Sequence, residues 1–334
     1  MFTLSERHKG IVSFVPNDPK ELPQSYIPGS LAYQSTNNFG DFYYQEVQQE
    51  NFTIWRSTYR PYEDVSLRVK REVKWLGFRM MLKKHISHLF LGRPIAIMQG
   101  QMHFAYSPLT DVELMLKGNE IYEVVDMQVS PSLFYQLKQR GRTFEAFAAM
   151  IGSDKPAWIS DKPAWSSYTV LDNMENLLQD PTQDKIAVEI VQQVVTTLIK
   201  NKGHDKKITY EQVENIFLIR EMIQHRFPEA MTLQQWAKES RMNTTDFKYK
   251  FRQVFGLPAY KYLTFQRINA AKEIMLTDPQ LPLSEVARRC GFGTYNNLRR
   301  AFYSTDKTKL SLWRDKNLGM AFQLLIELLL SEML

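Results

Sequence analysis

The first half of the chain shows the alternation of apolar and polar side chains that β-strands produce. Between residues 64 and 71, Val65, Leu67 and Val69 alternate with polar side chains, as in a strand with one buried face. Seven more short segments have strand character, with turn residues near their ends; they span residues 42–47, 52–58, 76–82, 94–98, 102–106, 112–116 and 121–129. These eight short strands predict a β-barrel or sandwich between residues 39 and 130.

The pattern becomes helical after residue 132, where apolar residues recur every three or four positions. Helices are predicted over residues 134–151, 168–178 and 184–200. In the third of them, Ala187, Val191, Val194 and Leu198 form a coiled-coil-like seam. Two interpretations are open at this point: the seam packs against the barrel, or it forms a dimer interface.

The pentapeptide DKPAW occurs twice between the first two of these helices, at residues 154–158 and 161–165. Tandem copies predict paired turns in which Trp158 and Trp165 pack alike. The repeat indicates no function by itself.

Residues 231–256 carry the signals of two short helices joined by a tight turn. Thr232 with Gln235, and Asn243 with Asp246, are cap signals at the start of each helix. Apolar residues of the second helix recur at helical spacing and face a core; they are Phe247, Phe251, Val254 and Phe255. The opposite face is a polar and aromatic stripe, which consists of Thr245, Lys248, Tyr249 and Arg252.

Residues 283–303 repeat this arrangement beyond a connecting helix predicted over residues 258–277. At about 1.5 Å per residue, the connector spans about 30 Å. Successive major-groove faces on one side of B-DNA are about 34 Å apart, so the connector has the length to serve two grooves. The outward face of the last helix consists of Asn296, Arg299, Arg300 and Tyr303.

This arrangement resembles the DNA-binding domain of the AraC/XylS family of bacterial transcription regulators, over residues 231–314. In the first helix-turn-helix and the connector, the matching residues are Phe251, Phe255, Gly256, Tyr262, Leu263, Arg267 and Ala271. In the second helix-turn-helix they are Ala287, Gly291, Phe292, Arg300, Phe302 and Arg314. The phrase KYKFRQVFG is similar to the branch that contains siderophore-responsive regulators.

Roles on DNA follow from the outward faces. Side chains on a groove-facing stripe reach base edges, and six are expected to do so: Thr245, Lys248, Tyr249, Asn296, Arg299 and Arg300. Three more basic side chains are expected to hold phosphates, namely Arg252, Arg267 and Lys272.

The resemblance implies an α+β, multidomain chain. Residues 1–200 are expected to form a β-rich, jelly-roll or cupin-like sensory and dimerisation domain with helices at its end. A linker over 201–209 precedes an all-α DNA-binding domain over 210–317 and an apolar tail over 318–334. The implied partners are double-stranded DNA and RNA polymerase, and the implied sign is activation. A small-molecule effector and a homodimer are further expected partners.

The sequence differs from the family pattern at the turn after the last helix. The family phrase F-G-x-T-P is replaced by DKTKL at residues 306–310. Without its glycine and proline, we expect a loosened turn and a second helix-turn-helix that adds less base specificity than the first.

Charge agrees with DNA binding. Residues 220–316 contain 18 Lys and Arg against 9 Asp and Glu, whereas the chain of 334 residues has a net charge of +6. Such concentrated basic charge is the footprint of a phosphate-binding surface. No signal-peptide pattern and no uncharged apolar stretch of about 18 residues occurs, so we expect a cytoplasmic protein without a membrane partner.

No catalytic or cofactor-binding pattern occurs, so we expect a protein that is not an enzyme and has no cofactor. His85, His88 and His103 lack the spacing and the glutamate of a cupin metal motif. The single Cys290 excludes an intrachain disulfide and a cysteine zinc cluster. Two alternatives remain: a ligand-independent architectural DNA binder, or an enzyme fused to an AraC-like module. The latter would need a reactive cysteine in the first half, where there is none.

Overall fold

The computed structural model describes residues 3–6, 10–18, 20, 22, 26–71, 73–137, 141–201, 207–229 and 231–318. The chain divides into two compact bodies. The N-terminal body comprises residues 1–214 with 253–256, and the C-terminal body comprises residues 215–252 with 257–334. Within the described ranges, no helix combines the length and the apolar character that a membrane crossing needs.

Antiparallel strands dominate the N-terminal body. They are β1 (Thr3–Glu6), β2 (Gly10–Val12), β3 (Val15–Asn17), β4 (Leu31–Asn37), β5 (Gly40–Gln48), β6 (Phe52–Pro61), β7 (Val65–Arg71), β8 (Trp75–Lys83), β9 (Ile86–Phe90), β10 (Arg93–Ile97), β11 (Gln101–Ser107), β12 (Thr110–Leu116), β13 (Tyr122–Val129), β14 (Ala157–Trp158) and β15 (Ala164–Trp165). The first sheet has the order β10-β9-β12-β7-β1-β2. The second has the order β14-β11-β8-β13-β6-β5-β4-β3, and β15 also pairs with β11.

The chain passes repeatedly from one sheet to the other. From β6 to β13, every connection except the β9–β10 hairpin crosses between the sheets, as in a jelly-roll. Side chains of both sheets meet in one apolar cluster, in which Phe42 and Met81 of the second sheet pack with Leu67 and Leu114 of the first. The predicted β-rich sandwich or barrel is therefore confirmed.

All eight predicted strands occur, as β5 to β8 and β10 to β13. The sequence interpretation missed β1 to β4, β9, β14 and β15. Strands β1 to β3 are too short to show a period, and Pro16 interrupts the last of these. Strand β9 alternates in burial, but His88 occupies one of its buried positions and hides the apolar face in the sequence.

Both DKPAW copies end as short strands on the same neighbour, because β14 and β15 both pair with β11. A serine directly before each copy forms the same turn with the lysine of that copy. Ser153 Oγ donates to Lys155 O at 3.1 Å, and Ser160 Oγ donates to Lys162 O at 2.9 Å. The predicted paired turns are present, and they extend the edge of the second sheet.

One predicted helix is wrong. In place of a single helix over residues 134–151 there are two short ones, α1 (Pro131–Tyr135) and α2 (Arg142–Ala148). Ser130 caps the first, and its Oγ accepts from Leu133 N at 3.1 Å. Gly141 has a φ of 119°, far from helical values, so one continuous helix cannot pass through it.

Helices α3 (Tyr168–Gln179) and α4 (Asp184–Lys200) follow the prediction. The seam residues of α4 are all buried, with exposures of 0–1%; they are Ala187, Val191, Val194 and Leu198. Because α4 packs on α3, β11 and β15, the seam belongs to the core of the N-terminal body. It is not available as a dimer interface.

The remaining helices follow the predicted order. They are α5 (Tyr210–Arg226), α6 (Leu233–Glu239), α7 (Thr244–Phe255), α8 (Ala259–Thr277), α9 (Leu283–Arg289) and α10 (Tyr295–Asp306). Residues 310–318 form one more helical segment. The rest of the predicted apolar tail, residues 319–334, lies outside the described residues.

The turn after α10 forms without a glycine or a proline, so the expected loosened turn is wrong. Lys307 takes the left-handed conformation, with φ 57° and ψ 17°, and its N–H donates to Tyr303 O. Leu310 is 1% exposed in the core around α10. The Trp313 ring packs against Phe302, with 5.8 Å between centroids. Apolar packing after the turn therefore takes over the bracing role of the missing residues.

Lys307→Gly is expected to stabilise the C-terminal body by about 0.5–1 kcal/mol, because glycine adopts the left-handed conformation without the steric cost of a Cβ. Thermal unfolding of the full chain checks this. Lys309→Gly is the matched control, since it removes the same charge from a residue without positive φ. Equal effects of the two substitutions would show that the left-handed conformation of Lys307 has no steric cost.

Leu198→Ala is expected to lower the free energy of unfolding of the N-terminal body by about 2–5 kcal/mol, because it opens a cavity in the core. The half-exposed neighbour Thr197 provides the control Thr197→Ala. Urea titration followed by tryptophan fluorescence measures the change. Unchanged stability combined with an altered oligomeric state would restore the dimer interpretation.

Candidate functional site

The first helix-turn-helix is fixed at both of its helix starts by side-chain caps. Thr232 Oγ1 accepts from Gln235 N at 3.2 Å, and Thr232 N donates to Gln235 Oε1 at 2.6 Å, which completes a capping box. At the start of α7, Asn243 Oδ1 accepts from Asp246 N at 2.8 Å. Both signals read in the sequence are therefore realised as hydrogen bonds.

Helix α7 buries one face and exposes the other. Phe247 and Phe251 are 0% exposed, and their rings lie 5.6 Å apart. The four side chains of the predicted stripe are exposed together; they are Thr245, Lys248, Tyr249 and Arg252. By contrast, Lys250 lies on the inner side of α7 and is buried. The exposed face of α7 is therefore basic and aromatic.

The second helix-turn-helix depends on a glycine. Gly291 ends α9 with φ +75°, and a Cβ there would meet Pro228 O at 2.5 Å. Thr294 Oγ1 then caps α10 by accepting from Asn297 N at 3.3 Å. Leu298 and Phe302 are 0% exposed and anchor α10 in the core.

Three predicted side chains are exposed on α10: Asn296, Arg299 and Arg300. Arg300 is held in place, because its Nη2 donates to Asn297 Oδ1 at 2.7 Å. Asn297 in turn donates through Nδ2 to Phe292 O at 3.1 Å. Sequence reasoning missed this positioning role of Asn297, although its place one turn before Arg300 was the available signal.

Two of the three predicted phosphate ligands have internal partners. Arg267 is half-buried, and it donates from Nε to Phe227 O at 2.7 Å and from Nη2 to Glu229 O at 3.0 Å. Burial lowers the pKa of Arg267 from its ordinary value. Lys272 Nζ pairs with Asp306 and lies over the Phe302 ring, 5.6 Å from its centroid. The structure therefore gives both residues a bracing function, whereas Arg252 is exposed.

Glu285 holds two other arginines of the second helix-turn-helix. Its carboxylate accepts from Arg288 Nε at 2.7 Å and from Arg289 Nε at 3.0 Å. Hydrogen bonds from Arg288 and then Arg289 lower the pKa of Glu285 to about 2. These contacts reduce the free basic charge of α9 relative to α10.

The single cysteine, Cys290, is buried at the end of α9. Burial raises the pKa of its thiol to about 11, although Arg267 opposes the effect. A thiol with a raised pKa and no exposed surface is a poor nucleophile.

The N-terminal body contains a separate cavity of about 120 Å³ between its two sheets. A ladder of polar side chains crosses the inner face of the second sheet there. The strand register pairs His103 with Arg79, Arg79 with Asp126, and Asp126 with Trp55. Arg79 donates to Asp126 from Nε and Nη2, both at 2.8 Å. Burial disfavours the charge on Arg79, but Asp126 outweighs it and raises the pKa of Arg79.

Two histidines also line this cavity. Burial lowers the pKa of His103 to about 4 and the pKa of His88 well below its ordinary value, so both are neutral at pH 7. His85 is elsewhere and stacks on Tyr210 at 3.5 Å between ring centroids. Among the residues that the structure describes, no group of three or more His, Cys, Asp or Glu is placed to hold a metal ion.

Part of the chain is similar to known proteins. Residues 236–316 match a family model described as a helix-turn-helix domain. The probable transcriptional regulator LumQ of Photobacterium leiognathi is 23% identical over 128 residues, which are 37% of this chain and 50% of LumQ. The chain thus matches about half the length of this curated relative.

Solved structures were compared as well. The DNA-binding domain of AdpA, solved with a target DNA, is 22% identical, with a TM-score of 0.29 over 30% of this chain and 91% of that one. ToxT from Vibrio cholerae, solved with a bound unsaturated fatty acid, is 12% identical, with a TM-score of 0.33 over 80% of this chain and 96% of that one. The AraC-like activator CuxR is 10% identical, with a TM-score of 0.33 over 78% and 86%.

The family match begins within α6 and covers α7, the connector α8, α9 and α10. Caps, buried anchors and the glycine at 291 account physically for the same segment. The chain therefore contains a helix-turn-helix domain over residues 236–316, and it is similar over part of its length to a probable transcriptional regulator.

Proposed function

We propose that the chain is a sequence-specific DNA-binding regulator of transcription, and that it is not an enzyme. The observation that carries the proposal is the pair of exposed basic faces on α7 and α10, each held by caps and buried anchors. A helix presented in this way by a helix-turn-helix enters the major groove of DNA. The surplus of Lys and Arg in residues 220–316 supports attraction to phosphates.

The proposed roles divide by exposure. Side chains of the two outward stripes read base edges, and these are Thr245, Lys248, Tyr249, Asn296, Arg299 and Arg300. Arg252, exposed at the end of its stripe, holds a phosphate. Because Arg267 and Lys272 have internal partners, we propose that they contribute to DNA binding by bracing the fold.

The N-terminal body is proposed to bind a small molecule in its cavity and to regulate DNA binding in response. Buried polar atoms in an otherwise apolar cavity support a ligand site. This favours a ligand-responsive regulator over a ligand-independent architectural DNA binder. RNA polymerase contact, activation and homodimer formation complete the proposal, as the family implies.

An enzyme fused to an AraC-like module is the less favoured alternative. Its chemistry would need a reactive cysteine in the N-terminal half, and Cys290 is buried in the C-terminal body. The raised pKa of the Cys290 thiol also disfavours a nucleophilic role.

The direct test is selection of genomic fragments by the purified full chain, followed by footprinting. Enrichment of a few fragments with discrete protected segments is expected. Uniform recovery of all fragments, with no footprint, would reject sequence-specific binding.

Substitutions separate the two kinds of contact. Lys248→Ala or Arg299→Ala should cost about 1–3 kcal/mol on the selected site and flatten preference at one or two base positions. Arg252→Ala should weaken selected and random DNA alike and reduce the salt slope by about one. Fluorescence anisotropy at several salt concentrations measures both effects.

The control for charge is Lys185→Ala, which removes an equal charge from the exposed side of α4 in the N-terminal body. It should leave affinity nearly unchanged. Equal losses on selected and random DNA for Lys248→Ala, Arg299→Ala and Arg252→Ala would refute the assignment of base-reading residues.

We further propose that residues 210–317 form an autonomous DNA-binding fragment. The fragment contributes no strand to the N-terminal sheets. It should therefore fold alone and bind the selected site, more weakly than the full chain. Circular dichroism and a mobility-shift assay check this. A soluble but unfolded fragment would place the domain boundary elsewhere.

A further inference from the structure

We propose that the cavity of the N-terminal body binds a neutral, planar, single-ring aromatic compound that carries a hydroxyl or N–H group. This inference rests on the proposed ligand binding and specifies its chemistry. Four properties of the cavity lead to it: size, wall composition, charge balance and the placement of buried polar atoms.

The size of the cavity favours a small ligand. Its volume is about 120 Å³, and a protein cavity of about 150 Å³ holds benzene. A ligand of about one six-membered ring therefore suits this space.

The walls favour a flat aromatic ligand. Aromatic side chains from both sheets line the cavity, and these are Tyr44, Trp55, Tyr59, Trp75 and Phe90. The indole rings of Trp55 and Trp75 lie 6.0 Å apart and tilted by 37°. Aromatic rings attract one another in offset and edge-to-face arrangements, so a planar ring gains more here than a saturated ring.

The charges in the cavity cancel. Arg79 and Asp126 form a two-point ion pair on the cavity wall. A cation would need a free carboxylate, and an anion would need a free guanidinium, so either one has to compete with this pair. His88 and His103 add no charge, because burial keeps both imidazoles neutral. The cavity therefore selects a neutral ligand.

Two residues that line the cavity, Trp55 and His88, each have a buried polar atom without a hydrogen-bond partner among the described residues. Within the described residues, neither Trp55 Nε1 nor His88 Nδ1 has a hydrogen-bond partner. His88 is 4% exposed, so water is largely excluded from it. An indole N–H only donates, whereas a neutral imidazole nitrogen can accept. A ligand hydroxyl can accept from an indole N–H or donate to an imidazole nitrogen, so it could satisfy either of these groups.

The test uses the full chain and phenol as the probe, with isothermal titration calorimetry as the readout. Phenol is expected to bind at one site per chain. Three comparators test these properties: benzoate has a charged carboxylate in place of the hydroxyl, benzene lacks the hydroxyl, and 1-naphthol has a second ring. Each should bind at least fivefold more weakly than phenol. Benzoate binding as tightly as phenol would overturn the charge argument, and 1-naphthol binding as tightly would overturn the size argument.

Variants locate the binding site. Trp55→Phe removes one hydrogen-bond donor and should weaken phenol binding about fivefold. Trp165→Phe is the matched control, because Trp165 does not line the cavity. Val112→Phe fills the cavity and should abolish binding, with circular dichroism showing that the variant is folded. Full phenol affinity in folded Val112→Phe would refute the site.

These outcomes are separable from the proposed function. Absence of phenol binding by a chain that gives discrete footprints would overturn this inference and leave DNA regulation intact. Saturable phenol binding by a chain that selects no DNA would support this inference and reject sequence-specific DNA binding.

Discussion

The packing of two buried pairs, Phe247 with Phe251 and Leu298 with Phe302, determines which side chains of α7 and α10 face outward. Residues four apart lie on the same helical face, so each pair sets the rotation of its helix about the axis. The opposite face then carries Lys248 on α7 and Arg299 on α10. Because the core fixes the outward faces, the proposed recognition of DNA depends on buried residues as well as on the exposed ones.

A different constraint shapes the N-terminal body, where charged side chains lie between two sheets. Burying an ion pair costs solvation free energy that its attraction recovers only with good geometry. Arg79 and Asp126 meet that condition with two hydrogen bonds of 2.8 Å. An apolar pair would fill the same positions at no electrostatic cost. We therefore relate the pair to the proposed ligand site rather than to stability.

Local signals were readable in the sequence, and distant partnerships were not. The capping box at Thr232 and the stripe of α7 follow from spacing within one helix. The internal partners of Arg267 are the carbonyls of Phe227 and Glu229, some forty positions away, and no periodicity reports them. Likewise, Arg79 and Asp126 lie 47 positions apart and meet only because β8 pairs with β13. Lys307 shows the converse case, in which a family glycine is absent but its backbone conformation is kept.

The proposed function depends most on base reading by both α7 and α10, which the 19-residue connector α8 joins. Randomised-site selection with the full chain tests this directly. It should return two specified blocks of base pairs with centres about ten base pairs apart, the repeat of one DNA turn. A single specified block, or two blocks at a variable spacing, would contradict the account.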